Sequence, residues 1–171
     1  MKLHIGGETP KDGWTIFNIQ KKKHVDIVGS LEDLSRFGED SIDEIYASHV
    51  FEHVKIANCL KILKDIHRIL EKDGKLLISV PDMDIIFRLF LNTKATHDVK
   101  FSLMRMIFGG QVDEHDFHYF GWNYELMSDF LIKANFSKFK KVESHEIFKD
   151  YSELKAYGHK ISLNMIAIKS F

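Results

Sequence analysis

The chain has 171 residues, which is enough for one domain with a sizeable hydrophobic core. Hydrophobic residues make up 44% and charged residues 29%, and the net charge of −1 gives no global field to attract nucleic acid or an anionic membrane. The single cysteine, Cys59, excludes an internal disulfide framework and is typical of a reducing compartment. Without a signal peptide or an apolar run of roughly 18 residues, we expect one cytoplasmic domain over residues 1–171.

The first segment of the chain predicts two strands joined by a short loop. Lys2–Ile5 reads as the first strand, and Trp14–Gln20 reads as the second. Gly6-Gly7-Glu8 follows the first strand, where glycines let a ligand approach the backbone without meeting a Cβ. A parallel crossover normally needs a dozen or more residues, so the strands are either antiparallel or joined by an extended loop instead of a helix.

Three further strands and a helix follow. Val25–Gly29 predicts the third strand and Ile42–Ala47 the fourth, and each is followed by small or polar residues, Ser30-Leu31 and Ser48-His49. Leu31–Phe37 predicts a short helix or turn. Asn58–Leu70 has apolar residues at helical spacing, with Asn58 as the N-cap, and Lys75–Val80 predicts a buried fifth strand. Open parallel sheets bind ligands beyond the carboxyl ends of their strands. We therefore expect the residues after these strands to line one cleft.

The second half of the chain is richer in phenylalanine and predicts helices, a loop and two strands. The predicted elements are helices over Asp84–Leu91, Val99–Phe108 and Asn123–Ala134, with Leu126, Phe130 and Leu131 facing inward in the last of them, and strands over Phe139–Glu143 and Ile161–Lys169. Gly109–Trp122 has no regular period and is rich in glycine, histidine, acids and aromatic residues. This composition favours an ordered functional loop over a linker.

The order and spacing of these segments resemble the class I S-adenosylmethionine-dependent methyltransferases, and within them a short subfamily of predicted methyltransferases. The segments that carry the resemblance are Leu3–Gly7, Gly13-Trp14, Asn18–Gln20, Val25–Gly29, Asp43–Val54, His67–Leu70 and Ile78–Asp82. The resemblance implies an α/β fold with a doubly wound, mostly parallel sheet. It implies the strand order 3-2-1-4-5-7-6, an antiparallel last strand, and an extended loop in place of the first helix.

The resemblance also implies S-adenosyl-L-methionine as cofactor and in-line methyl transfer to an unidentified acceptor. The residues it places around the cofactor are Gly6, Gly7, Glu8, Gln20, Gly29, Ser30, Leu31, Ser48 and His49. Glu8, Gln20 and Ser30 depart from the residue types usual at their positions. The alternative is therefore a non-enzymatic, methyltransferase-like binding or interaction protein with weak or no cofactor affinity.

Methyl transfer to a hydroxyl or amine needs a group that removes a proton, and carboxylates and histidines serve this role. The candidate catalytic residues are Glu52, His53, His115 and His118. Because the sheet edge supplies only the donor side, we expect the loop Gly109–Trp122 to cover it. At least one of His115 and His118 should then face the cleft that contains Ser48 and His49.

Two other enzyme classes are less favoured. A metal hydrolase could use His49, His53, His115 and His118, but the helical H-E-x-x-H spacing is absent and no metal site is predicted. A nicotinamide dehydrogenase would need the full glycine fingerprint and a ribose acid. The expected partner is a small-molecule or unidentified methyl acceptor, with neither nucleic acid nor a membrane span, and a homodimer is left open.

Overall fold

The computed structural model describes residues 1–170, and a seven-stranded sheet forms its centre. The strands are β1 (Lys2–Ile5), β2 (Trp14–Asn18), β3 (Ile27–Val28), β4 (Ile42–Ser48), β5 (Leu70–Pro81), β6 (Lys138–Val142), β7 (Lys155–Ala156), β8 (His159–Lys160) and β9 (Ser162–Ile168). The helices are α1 (Ile56–Ile69), α2 (Met83–Phe90), α3 (His97–Phe108) and α4 (Tyr124–Lys133). β7 and β8 pair as a separate two-stranded ribbon.

The strand order of the main sheet is β3-β2-β1-β4-β5-β9-β6. β9 is antiparallel to both β5 and β6, whereas the other pairs are parallel. The predicted order 3-2-1-4-5-7-6 is confirmed. Since β7 and β8 belong to the separate ribbon, β9 is the seventh strand of this sheet along the chain, and it lies between β5 and β6. The carboxyl ends of β1 to β5 therefore meet at one edge, which is where a ligand site is expected.

β1 and β2 are parallel although only residues 6–13 connect them. An extended loop thus replaces the first helix, as predicted. Gly6 and Gly13 bound this loop with φ values of +73° and +80°, which residues with a Cβ rarely adopt. The Gly6 N–H donates to the Phe17 carbonyl at 2.8 Å, so the loop turns back onto the end of β2.

One face of the sheet packs against α1 and α4. Cys59, Ile62 and Ile66 of α1 are buried there, and Met127 and Leu131 of α4 join the same core. Several predicted details on this face were wrong. Helix α1 begins at Ile56, so Asn58 lies inside it and is not the N-cap. In α4, Leu126 is 41% exposed, because Met127 and Leu131 take the inward positions.

Within residues 1–170, no α-helix covers the opposite face beside β1 and β2, and a segment around Phe148 packs there instead. Phe148 lies with its ring centroid 4.1 Å from His4, 4.9 Å from Tyr46 and 5.4 Å from Trp14. The Tyr46 hydroxyl donates to Asp150 Oδ2 at 2.8 Å. Aromatic packing and this hydrogen bond therefore replace the missing helical layer.

The remaining differences from prediction concern the ends of elements. β2 and β3 are shorter than predicted, and Leu31–Phe37 forms turns. Phe87 and Leu91 at the end of α2 and Phe101 on α3 are exposed. Within residues 1–170, no helix combines the length and the apolar character needed to cross a membrane.

Candidate functional site

A cavity of about 580 Å³, here called the edge cleft, lies at the carboxyl ends of β1 to β4. It is bounded by the ends of these strands and by residues 112–116 of the loop before α4. Seven of the predicted cofactor residues line it, namely Gly6, Glu8, Gln20, Gly29, Ser30, Leu31 and His49. The sheet edge and the covering loop therefore meet around one space.

Gly7 and Ser48 line a different cavity, the aromatic pocket, which also contains His4, Phe148 and Tyr151. Gly7 is buried, and a Cβ on it would overlap the imidazole of His4. The predicted residues therefore line two cavities, which share Gly6, Glu8 and His49. The glycine at position 7 makes room for a core side chain of the protein.

Asn18 at the end of β2 was not predicted as a site residue, although it lines the edge cleft. Its side-chain amide donates to the Gly7 carbonyl at 3.0 Å, and its Oδ1 accepts from the Gln20 N–H at 2.9 Å. These bonds fix the loop after β1 against the end of β2. The neighbouring Gln20 side chain makes no hydrogen bond to any other described residue and lines the edge cleft.

The edge cleft is acidic. The acidic residues that line it are Glu8, Glu32, Asp113, Glu114 and Asp116, and its described lining contains neither lysine nor arginine. Only Glu8 among these acids has a lysine partner, Lys22. This charge pattern favours a cationic ligand and disfavours a phosphate.

A third cavity of about 390 Å³, here called the histidine pocket, adjoins the edge cleft. His49, Glu52, His53 and His118 line it, together with residues of α3, Tyr151 and Leu154 before β7, and Ile161 after β8. His49, His53 and Asp116 line both the histidine pocket and the edge cleft. The two cavities thus share a boundary at the end of β4.

His49 and Glu52 form an ion pair at this boundary, with 3.0 Å between His49 Nδ1 and Glu52 Oε1. The atoms are not aligned as a hydrogen bond, and both Glu52 oxygens lack a hydrogen-bond donor among residues 1–170. Burial alone would raise the pKa of Glu52, but His49, His53 and His118 together hold that pKa below its usual value. On its other side, His49 Nε2 lies 2.9 Å from Ser162 Oγ.

His53 and His118 come from separate segments and meet in the histidine pocket. Their ring centroids are 4.7 Å apart, and the rings are nearly perpendicular at 84°. His53 follows β4 in a 3₁₀ turn, Phe51–His53, whereas His118 lies in the loop Gly109–Trp122. Burial lowers the pKa of His118.

His115 is exposed and lines the edge cleft, not the histidine pocket. The two loop histidines therefore face different cavities, and His49 borders both of these cavities. We expected one of them to face a cleft that contains both Ser48 and His49; His115 lines the edge cleft with His49, but Ser48 does not line that cleft. Ser48 lies on the side of the aromatic pocket.

Residues 15–78 match the model of a family described as a methyltransferase domain. The predicted resemblance to the class I methyltransferases is confirmed. The matched segment runs from β2 into β5 and covers less than half of the chain. A comparison with curated proteins gave no match.

Solved structures of S-adenosylmethionine-dependent methyltransferases have the same fold. One from Archaeoglobus fulgidus has a TM-score of 0.59 and 15% identity, over 98% of this chain and 85% of that chain. One from Thermotoga maritima has a TM-score of 0.54 and 22% identity, over 85% of this chain and 65% of that chain.

A third structure is that of the 1,6-didemethyltoxoflavin-N1-methyltransferase of Burkholderia thailandensis. It has a TM-score of 0.58 and 16% identity, over 99% of this chain and 71% of that chain. It contains 1,6-didemethyltoxoflavin and S-adenosylhomocysteine. This chain spans only 51% of a structure from Nostoc punctiforme that shares the fold. At these identities the likeness establishes the fold.

Proposed function

We propose that the protein transfers a methyl group from S-adenosyl-L-methionine in the edge cleft to an acceptor in the histidine pocket. The observation that carries this proposal is that the two cavities share His49, His53 and Asp116. A displacement at a methyl group needs donor and acceptor held in line and close together. Two cavities that meet at one wall supply that arrangement.

The residues of the edge cleft fit the cofactor in size and in charge. A volume of about 580 Å³ is within the usual range for small-molecule sites. S-adenosyl-L-methionine supplies a methyl group bound to a positively charged sulfonium, and the acidic lining suits that charge. Gln20 can hydrogen-bond the ribose hydroxyls, and Leu31, which follows Gly29 at the end of β3, can contact the adenine. The resemblance implies that the turn with Gly6 and Glu8 contacts the methionine part of the cofactor.

The acidic lining also argues against the nicotinamide cofactors. Their linked phosphates carry negative charge and are usually held by a glycine-rich turn at a helix N-terminus. Here β1 is followed by an extended loop, and Glu8 stands within that loop. The sulfonium cofactor is therefore favoured over a dinucleotide.

On the acceptor side, we propose that His118, His53 and Glu52 orient the acceptor, while His115 acts on the cofactor side. The nitrogen Nδ1 of His118 lies 3.0 Å from the Met106 carbonyl, so Nδ1 carries the proton. Nε2 of that ring is then free to accept a hydrogen bond from a hydroxyl or amine. An acceptor bound in this way would present its lone pair to the edge cleft.

Isothermal titration calorimetry with S-adenosyl-L-methionine, S-adenosylhomocysteine and NAD tests the donor site. We expect the first to bind between about 1 µM and 1 mM, the usual range of KM values. S-adenosylhomocysteine should bind several-fold more weakly because it lacks the sulfonium charge, and NAD should not bind. Gln20→Ala should weaken binding, whereas Gln111→Ala, a glutamine outside the cleft, should not. No heat at millimolar S-adenosyl-L-methionine would contradict the proposal.

Incubation with methyl-labelled cofactor and separated cell-extract fractions then tests transfer. Label in a small-molecule or macromolecular fraction would identify the acceptor class. Cofactor binding without transfer into any fraction would instead support the alternative of a non-enzymatic binding protein.

A further inference from the structure

Glu52, His53 and His118 bring one carboxylate and two imidazoles to the same wall of the histidine pocket. One ligand atom from each of these side chains lies within 4.8 Å of the other two. Glutamate oxygens and histidine nitrogens are common protein ligands of divalent transition metals. The set is assembled from the turn after β4 and a loop more than sixty residues further along the chain.

The hydrogen bonds of the two imidazoles leave one nitrogen of each ring free to bind a metal. Nδ1 of His53 lies 3.1 Å from the Phe117 carbonyl, and Nδ1 of His118 lies 3.0 Å from the Met106 carbonyl. A carbonyl can only accept, so each Nδ1 carries the proton and each Nε2 keeps its lone pair. Metal-binding histidines usually donate their other ring N–H to a carbonyl or carboxylate in this manner.

Glu52 supplies an independent reason to expect a cation. Its side chain is 1% exposed, and both carboxylate oxygens lack an aligned hydrogen-bond donor within residues 1–170. A buried charge of this kind is normally paired, hydrogen-bonded or bound to a metal. The ion pair with His49 reaches only Oε1, which leaves Oε2 facing no donor in the described part of the chain.

We propose that Glu52, His53 and His118 bind a divalent transition-metal cation of the Zn²⁺ type at the wall of the histidine pocket. Two nitrogens and one carboxylate, with a fourth position open to a cavity, form the ligand pattern of catalytic zinc sites. Mg²⁺ is disfavoured because it prefers oxygen ligands. Ligand atoms around a tetrahedral zinc lie about 3.3 Å apart. The present separations of up to 4.8 Å would therefore have to shorten by at most about 1.5 Å.

This site differs from the hydrolase arrangement considered from the sequence, since it needs neither His115 nor an H-E-x-x-H helix. It also does not depend on the methyl donor. Its open position faces the cavity proposed for the acceptor. With the cation bound, Nε2 of His118 holds the metal instead of the acceptor, and the cation coordinates an acceptor that carries an oxygen or nitrogen donor.

The test is calorimetric titration of the metal-stripped protein with ZnCl₂, together with visible absorption after addition of Co²⁺. We expect one equivalent of Zn²⁺ to bind and tetrahedral Co²⁺ bands to appear. His53→Ala, His118→Ala and Glu52→Gln should each weaken Zn²⁺ binding by about 100-fold or more, since even outer partners of metal ligands are worth 10- to 100-fold. The control His24→Ala removes an exposed histidine elsewhere and should bind as the wild type does.

His53 is half-buried, so His53→Ala provides a variant that keeps the fold if the more buried positions do not tolerate change. Circular dichroism of each variant checks this. Absence of Zn²⁺ binding to the wild type would overturn the proposal. Equal affinities of wild type, His53→Ala and His24→Ala would also overturn it, because they would indicate binding to surface histidines.

Discussion

Nδ1 of His49 lies 3.0 Å from Oε1 of Glu52, and this contact ties the end of the central strand β4 to the wall of the histidine pocket. His49 has a φ of +53°, and its N–H donates to the Ser79 carbonyl at 2.8 Å. The left-handed turn at His49 directs the chain into the segment that carries Glu52 and His53. The geometry of the boundary between the cavities therefore depends on this pair.

We predict that His49→Ala lowers the free energy of unfolding by about 3 kcal/mol, because it leaves the buried Glu52 carboxylate without its cation. The double variant His49→Ala, Glu52→Gln should lose less, since the amide carries no charge. Urea unfolding measures both, with a chelator present so that bound metal does not contribute. A single-variant loss below about 1 kcal/mol would mean that the pair is no stronger than an exposed one.

Gly7 should be required for stability rather than for ligand approach. An alanine Cβ at position 7 would overlap the His4 ring, and overpacking of a core typically costs 1–3 kcal/mol. Gly7→Ala should therefore unfold at lower urea concentration. In the His4→Ala background the same change should cost much less, because the obstructing ring is gone. Equal costs in both backgrounds would contradict this explanation.

The buried His4 should make the protein less stable in mild acid. Burial lowers the pKa of His4 from 6.5 to about 4, although Asp150 acts in the opposite direction. Between these values the unfolded chain binds a proton that the folded chain does not, so stability is full above pH 6.5 and falls as the pH decreases toward 4.

The loss attributable to His4 should approach about 3 kcal/mol at the acid end of this range. Urea unfolding at a series of pH values measures it. His4→Phe keeps a ring against Phe148 but cannot take up a proton. On unfolding, this variant should therefore take up one proton fewer than the wild type, and its unfolding free energy should change less with pH. Parallel pH profiles for the two proteins would show that His4 is not the titrating group.

Substitutions of the two loop histidines should have different effects on cofactor binding. His115→Ala should weaken binding of S-adenosyl-L-methionine, because His115 lines the edge cleft, whereas His118→Ala should leave it nearly unchanged. Calorimetry on the two single variants tests this. The reverse order of effects would assign the cofactor to the histidine pocket.

The sheet was predictable because its buried strands are short apolar runs whose order follows the resemblance. The distribution of the site residues over more than one cavity was not predictable, and the geometry of strands explains why. Successive residues of a strand point to opposite faces, so adjacent residues at strand ends can line different cavities. Gly7 and Ser48 line the aromatic pocket and not the edge cleft, whereas their neighbours Gly6 and His49 line both cavities.

The cluster of Glu52, His53 and His118 was also beyond sequence reasoning. Each residue could be singled out as a candidate base, and the loop Gly109–Trp122 was expected to cover the sheet edge, but nothing in the spacing indicates that His118 meets His53 and Glu52 there. The Tyr119 N–H donates to the Glu52 carbonyl at 2.8 Å, and this long-range backbone bond fixes the approach. Asn18 was missed because an asparagine at a strand end gives no stronger signal than a turn residue.

The aromatic cover supplied by Phe148 has a consequence for folding during synthesis. Tyr46 and Trp14 belong to strands made early, but the ring that covers them and the Asp150 that accepts the Tyr46 hydroxyl are made about a hundred residues later. The nascent N-terminal strands cannot bury this face until the chain is nearly complete. A ribosome-bound chain that ends before residue 145 should therefore expose an aromatic surface and bind chaperones, and release of the full chain should abolish that binding.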